Sequence, residues 1–300
     1  MLPQQTHRRD RIDLTGASLL IWFSLLMGLN QALIKIVNAG FAPVFQAGLR
    51  SACAILPVLL YAWLTRKKIS ISDGSLAPGL LCGVLFSVEF VLLFQAIDFT
   101  SVSRASIFFY TMPFWVALGA HFLIPGESLT VIRLVGLGLA VGGVVLALSG
   151  RAAAVGPNAW LGDLMCLAAA CFWASLALIM RLSRLNRACP EMQLLYQLGV
   201  SAVLLIAIAP AFGEMIREVT PTILGVFAFQ VLVVVSVGFL GWFWVLSVYP
   251  AAQMASFSFL SPVFGVFFGW LILDETISVR IVGALILVAV GIYLVNRRPR

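Results

Sequence analysis

Charge is scarce in this sequence. Asp, Glu, Lys and Arg make up 10% of its 300 residues, and hydrophobic residues make up 62%. A soluble domain carries roughly 25% charged and about 45–50% apolar residues, so the chain lacks the polar side chains to cover a water-facing surface. The mean hydropathy of +1.06 agrees. Disorder, a coiled coil and an ordinary soluble enzyme are excluded, which leaves an all-α integral membrane protein. Histidine is limited to His7 and His121, too few to make a metal site alone. No metal and no cofactor are expected. Cys53, Cys82, Cys166 and Cys171 lie in apolar runs and Cys189 in a basic loop, with no CxxC pair. All five read as free thiols acting as small hydrophobes. The phosphate-binding pattern GxxxxGK[ST] is also missing, so ATP hydrolysis by that route is excluded.

What the chain has is length of apolar run. A spanning helix needs about 20 apolar residues. Ten segments qualify: 17–38, 43–64, 76–97, 102–124, 130–150, 159–181, 191–212, 222–248, 252–273 and 278–296. Turns as short as 38–42 make successive helices antiparallel neighbours in one bundle. The polar, basic segment 1–16 reads as a cytoplasmic N-terminus rather than a cleaved signal, because the first apolar run is long enough to be retained. Residues 297–300 read as a cytoplasmic tail.

The net charge of +7 comes in short clusters between apolar runs, not along one face. That pattern reports membrane topology, and no nucleic-acid partner is expected. With the N-terminus inside, the inner side holds Arg8, Arg9, Arg11, Arg66, Lys67, Lys68, Arg133, Arg181, Arg184, Arg187, Arg297, Arg298 and Arg300. The outer side holds only Lys35, Arg104, Arg151, Arg217 and Arg280. Both termini are therefore expected on the cytoplasmic side of the membrane.

The chain also repeats itself. Pro113, Glu127, Arg133 and Gly136 are matched by Pro262, Glu275, Arg280 and Gly283, with nearly equal spacings. Trp22-x-Ser24-Leu25 is matched by Trp173-x-Ser175-Leu176. Each repeat, 17–150 and 159–296, holds five spans. An odd number makes the second copy enter the membrane from the opposite side, which is an inverted repeat. Two inverted halves can open to one side and then the other, with a site where they meet near mid-membrane.

These features are similar to the drug/metabolite transporter superfamily, EamA type. The resemblance is strongest over 241–295, in Leu260-Ser261-Pro262-Val263-Phe264-Gly265 and Gly269-Trp270-Leu271-Ile272-Leu273-Asp274-Glu275. The first copy departs from the pattern, with Ile124-Pro125-Gly126-Glu127 approaching its Glu. The resemblance implies export of small metabolites without ATP. Within the superfamily the chain looks most like the bacterial amino-acid exporters, aromatic ones included. The expected partners are the lipid bilayer and a small-molecule substrate, with the protein a monomer.

Ionisable groups inside a span cost roughly 2.5–3.5 kcal/mol each on insertion and point to a site. Arg50 in the second span and Glu89 in the third lie at similar depths on antiparallel neighbours. They either form a structural ion pair, or face a cavity where they bind an amino acid or carry a proton. Lys35, Asp98, Arg104 and Asp163, at outer span ends, read as interfacial charges that reach water, with an outer gate as the alternative. Glu127 and Glu275 read as caps at helix starts. Trp63 and Trp160 read as interface belt. The aromatic candidates for a cavity wall are Trp22, Phe86, Phe90, Tyr110, Trp173, Phe239 and Trp242, which would suit apolar or aromatic substrates. The polar candidates are Asn30, Gln31, Ser87, Ser175 and Ser256. Pro113 and Pro262 are candidate hinges, and Gly138-x-x-x-Gly142 and Gly265-x-x-x-Gly269 candidate close-packing steps. An intramembrane enzyme built on Glu89 is the rival from another class. No HExxH, GxSxG or intramembrane Asp pair supports it.

Overall fold

The computed structural model describes residues 13–124, 129–149, 156–239, 241, 257 and 259–296. Glu127, Trp242, Ser256 and the terminal arginine clusters lie outside the described residues. Among the described residues the chain is helical, and the β contact is an isolated antiparallel bridge between Phe41 and Ile216.

The helices are α1 Leu14–Asn38, α2 Pro43–Leu64, α3 Leu76–Phe99, α4 Val102–Phe109, α5 Met112–Leu123, α6 Val131–Leu148, α7 Ala159–Leu182, α8 Pro190–Ile208, α9 Pro221–Phe229, α10 Leu260–Leu273 and α11 Val279–Asn296. Their starts carry local signals. Asp13 Oδ1 accepts from the Gly16 N–H at 2.9 Å, and Ser101 Oγ from the Arg104 N–H at 3.2 Å. Pro43, Pro190 and Pro221 open α2, α8 and α9, where a missing N–H costs nothing.

Eight helical segments are long and apolar enough to cross a membrane, with α4 and α5 counted together as Val102–Leu123. Leu260–Leu273 and Val279–Val295 are shorter apolar helices. At 1.5 Å rise per residue α10 is about 21 Å long, short of a bilayer core of about 30 Å. The expected ninth span began at 252, and residues 251–256 lie outside the described ones.

Two expected spans are not uniform helices. The fourth breaks between Phe109 and Met112, just ahead of Pro113. Proline cannot donate to the carbonyl four residues back and crowds it, and Thr111 Oγ1 instead donates to the Phe108 carbonyl at 2.6 Å. The eighth passes from α9 into a π-helical stretch, Gln230–Gly238. There Ser236 Oγ donates to the Val231 carbonyl five residues back, at 2.8 Å. Pro262 sits in the first turn of α10 and interrupts no helix there.

α1 packs on α10, α2 on α8, α3 on α7 and α8, and α6 on α11. α4 lies against both α10 and α7. The close approach of α6 and α11 does not use the expected pair, since Gly138 and Gly142 face open space. It uses Gly136 and Gly143. A Cβ at Gly136 would stand 2.8 Å from the Gly291 carbonyl oxygen, and one at Gly143 would stand 2.9 Å from that of Ala284. Gly265 and Gly269 do face α4, where a Cβ on Gly269 would lie 2.9 Å from Ser103 Oγ. The outside of the bundle is apolar, with Leu56, Trp63, Phe122, Val131 and Trp160 all exposed. A skin of this kind suits lipid and not water.

Candidate functional site

The helices enclose a cavity of about 410 Å³. α1 supplies a stripe of Leu20, Ser24, Met27, Gln31 and Ile34, spaced 4, 3, 4 and 3 residues apart so that one helical face meets the space. α3 supplies Phe86, Glu89, Phe90 and Leu93. The broken fourth span supplies Phe109, Tyr110, Met112, Pro113 and Val116, and α7 supplies Trp173 and Ala177. α8 adds Leu194 and Leu198, and the π-helical stretch adds Val234 and Val235.

Polarity is sorted along the cavity. Asn30 is eight residues from the end of α1, Arg50 seven from the start of α2, and Glu89 ten from the end of α3. All three therefore sit about 10–15 Å from the Asn38 end of the bundle. Gln31 and Ser51 share that level. Toward the opposite end the lining turns apolar, with Leu20, Phe23, Leu194 and Leu198. Leu194 is only four residues from the start of α8 at that end.

Arg50 is 4% exposed and Glu89 1%. They share the cavity, and of the two alternatives the ion pair is not formed, since none closes within 4.0 Å between them. Arg50 is held otherwise. Its guanidinium lies 4.8 Å from the Phe90 ring centre and 4.7 Å from that of Phe94, an arrangement favourable to a cation. Its Nη1 donates to Asn30 Oδ1 at 3.3 Å, which also accepts from Gln230 Nε2 at 3.4 Å. Gln230 Oε1 in turn accepts from Gln46 Nε2 at 3.3 Å. Glu89 Oε2 is buried and has no hydrogen-bond partner. Gln31 accepts from Ser106 Oγ at 2.6 Å, yet its Nε2 is buried without a partner. Buried polar atoms are ordinarily satisfied, and these two unsatisfied ones belong to residues that line the cavity.

Much of the cavity wall is aromatic. Phe109 stacks edge-on against Tyr110 and Trp173, with ring centres 5.5 and 6.5 Å apart. Phe86 and Phe90 have ring centres 4.0 Å apart.

Of the sequence candidates, Asn30, Gln31, Arg50, Phe86, Glu89, Phe90, Tyr110, Pro113, Trp173 and Phe239 line the cavity. Trp22 does not. It is 39% exposed on the outer face of α1, and its neighbours Phe23 and Ser24 turn inward instead. Ser87 and Ser175 donate to carbonyls one turn back, Gly83 at 2.8 Å and Cys171 at 2.9 Å, and stay off the cavity. Pro262 lies beside the lining residue Ser261 but not on the space. Trp242 and Ser256 lie outside the described residues.

The Asn38 end is closed by polar contacts. Glu275 accepts from the backbone N–H groups of Val102 and Ser103 at 2.6 and 2.9 Å, and from Ser103 Oγ at 2.6 Å. Asp274, in the left-handed conformation with φ 52°, turns the chain out of α10 and toward α4. Glu275 thus caps a helix start as expected, but that of α4 rather than of the helix following it. Lys35 Nζ donates to the Thr100 carbonyl at 2.7 Å, where α3 ends. Arg217 pairs with Asp98 at 3.2 Å and donates to the Asn38 carbonyl at 2.7 Å. Next to the Phe41–Ile216 bridge, the Ala42 N–H donates to the Met215 carbonyl at 2.9 Å. Arg104 and Asp163, read from sequence as reaching water, are instead a buried ion pair. Thr100 Oγ1 donates to Asp163 at 2.8 Å and Arg104 Nη1 to the Ala147 carbonyl at 2.8 Å.

The chain resembles known proteins over nearly its whole length. It is 26% identical to the uncharacterized transporter YoaV of Bacillus subtilis, over 92% of this chain and 94% of that one. It is 27% identical to a protein of Escherichia coli K12 named a probable amino-acid metabolite efflux pump, over 90% and 91%. A solved protein structure shares the fold at a TM-score of 0.67 and 18% identity, covering 94% of this chain and 96% of that one. The model of the EamA-like transporter family matches twice, over residues 14–149 and 160–297. The cavity in the apolar bundle is therefore that of a membrane transporter rather than an enzyme, and this chain belongs to the EamA-like transporter family.

Proposed function

We propose that this protein is a secondary exporter of the bacterial inner membrane that moves small metabolites, amino acids including aromatic ones, by alternating access without ATP. The observation that carries this reading is the cavity. It has unsatisfied polar atoms at one level and an aromatic wall beside them, which suits a small amphipathic guest. The efflux-pump name of the Escherichia coli relative points the same way.

Residues 17–150 and 159–296 are two inverted five-span repeats, with 1–16 and 297–300 cytoplasmic. The helix pairings support this. Exchanging the halves turns the α1–α10 contact into that of α7 with α4 and α5, and the α3–α7 contact into that of α1 with α9. The α2–α8 and α6–α11 contacts map onto themselves. With both termini inside, the closed Asn38 end faces outward and the cavity extends toward the cytoplasm, the loading side for an exporter. Pro113, at the break between α4 and α5, and Pro262, in the first turn of α10, are the bending points of the exchange. The protein works as a monomer.

The mostly apolar lining favours a second reading, in which the guests are other metabolites or drugs. Flux of labelled L-phenylalanine in liposomes holding the purified protein separates the two. Flux above empty liposomes, competed by other amino acids and reduced at least about tenfold in Trp173→Ala, is expected; removing a stacking ring from a pocket costs on the order of 1.4 kcal/mol or more. No flux from folded protein would leave the fold intact and remove the amino-acid assignment.

A further inference from the structure

We propose that Arg50 and Glu89 read the two charges of a zwitterion: the Arg50 guanidinium takes the α-carboxylate and the Glu89 carboxylate takes the α-ammonium of one guest. The inference rests on the amino-acid reading above and assigns its specificity to two residues.

Three observations meet at this place. Both residues line the cavity at one level, and both are nearly fully buried. They do not neutralise each other by contact, although they sit on neighbouring helices. Arg50 has its position fixed, and both groups leave capacity for a guest. Arg50 is clamped by two rings and Asn30, and its fork can still present donors to a carboxylate. Glu89 Oε2 lacks a donor, which an ammonium supplies three times over. A structural pair would be expected to close; these two charges instead line one cavity with no ion pair between them.

The physics also gives selectivity. With Arg50 and Glu89 both ionised the site is neutral overall, and a zwitterion keeps it so while satisfying both charges. An amine without a carboxylate adds one positive charge and leaves Arg50 unsatisfied, and a carboxylate without an amine does the reverse to Glu89. Leaving one partner of a buried charge pair unmatched costs enough to weaken binding by about 30-fold or more. The aromatic wall next to this level takes the side chain, and Gln31 Nε2 adds a neutral donor from α1.

The test is calorimetric binding to the purified full-length protein of three ligands: L-phenylalanine, phenethylamine (no carboxylate) and hydrocinnamate (no ammonium). The wild type is expected to bind phenylalanine at least about 30-fold more tightly than either analogue. Glu89→Gln should erase the advantage over hydrocinnamate while keeping that over phenethylamine. Arg50→Gln should do the opposite, and Arg50→Lys should keep most of the wild-type order. The wild-type series alone decides the matter if a variant does not fold. Phenylalanine binding without discrimination among the three, or equal loss for all three in both variants, overturns the zwitterion site and leaves the exporter reading standing. No binding of phenylalanine or any other amino acid overturns the amino-acid reading, and the zwitterion site with it.

Discussion

Asp163→Ala should destabilise the protein by about 3–5 kcal/mol, the usual cost of stripping one partner from a buried ion pair. Asp163 is fully buried near the start of α7. It receives Arg104 Nε at 3.1 Å and the Thr100 hydroxyl at 2.8 Å, and Arg104 Nη2 completes a two-pronged contact. Arg104 also reaches the Ala147 carbonyl at 2.8 Å. One pair thus joins the end of α3, α4, α6 and α7. Removing the carboxylate leaves a buried guanidinium with no counter-charge, so the single variant should be worse than the double variant Asp163→Ala, Arg104→Leu. Unfolding of the purified protein in mixed micelles measures both. A single variant within about 0.5 kcal/mol of wild type, the size of an ordinary surface change, would show that the pair holds nothing together.

Glu275→Ala should open the Asn38 end. The Glu275 carboxylate accepts three hydrogen bonds at the start of α4. An anion there also complements the exposed N–H groups of the helix. Hydrogen bonds to a charged group contribute about 1.5–3 kcal/mol each, so a net loss equal to only one of the three should raise the open population on the order of 10–100-fold. The Arg217–Asp98 pair nearby is partly exposed and adds at most about 1 kcal/mol, so it cannot hold the end closed alone. Ser51 lines the cavity and makes a reporter. In a cysteine-free background, Ser51→Cys should react at least about tenfold faster with a membrane-impermeant thiol reagent once Glu275 is Ala. Glu275→Asp, one methylene shorter, should fall between. An unchanged rate would mean that the carboxylate caps α4 without governing access.

Both predictions rest on contacts between distant parts of the chain, and these were the least legible in the sequence. The helices themselves were readable, because long apolar runs bounded by Pro, Asp and Ser leave few alternatives. So was the depth of Arg50 and Glu89, which needs only a residue count and the helical rise. Rotation was not readable. α1 is apolar around most of its circumference, so pattern alone could not choose between Trp22 and its neighbours Phe23 and Ser24, and the wrong one was favoured. A signal existed in the run Leu20, Ser24, Met27, Gln31, Ile34, whose spacing marks one face. The same ambiguity hid Gly136 and Gly143 behind the more familiar spacing of Gly138 and Gly142. The buried pairing of Arg104 with Asp163 and the capping of α4 by Glu275 each join residues far apart in sequence, so no local pattern could announce them. The π-helical stretch was also unforeseen. It places Val234 and Val235 on the cavity and begins at Gln230, which bridges Gln46 and Asn30. Such stretches frequently occur at functional sites.

If substrate passes through the cavity, filling the cavity should stop transport. Ala177 is a small lining residue on α7, in the apolar part of the space, away from Arg50 and Glu89. Ala177→Trp would occupy much of that space without touching a charge. Counterflow of labelled phenylalanine into preloaded liposomes, measured beside the unfolding midpoint of the same preparation, gives the answer. Counterflow is expected to fall to the level of empty liposomes while the midpoint stays at the wild-type value. Wild-type counterflow through the filled variant would contradict this and would place the route elsewhere in the bundle.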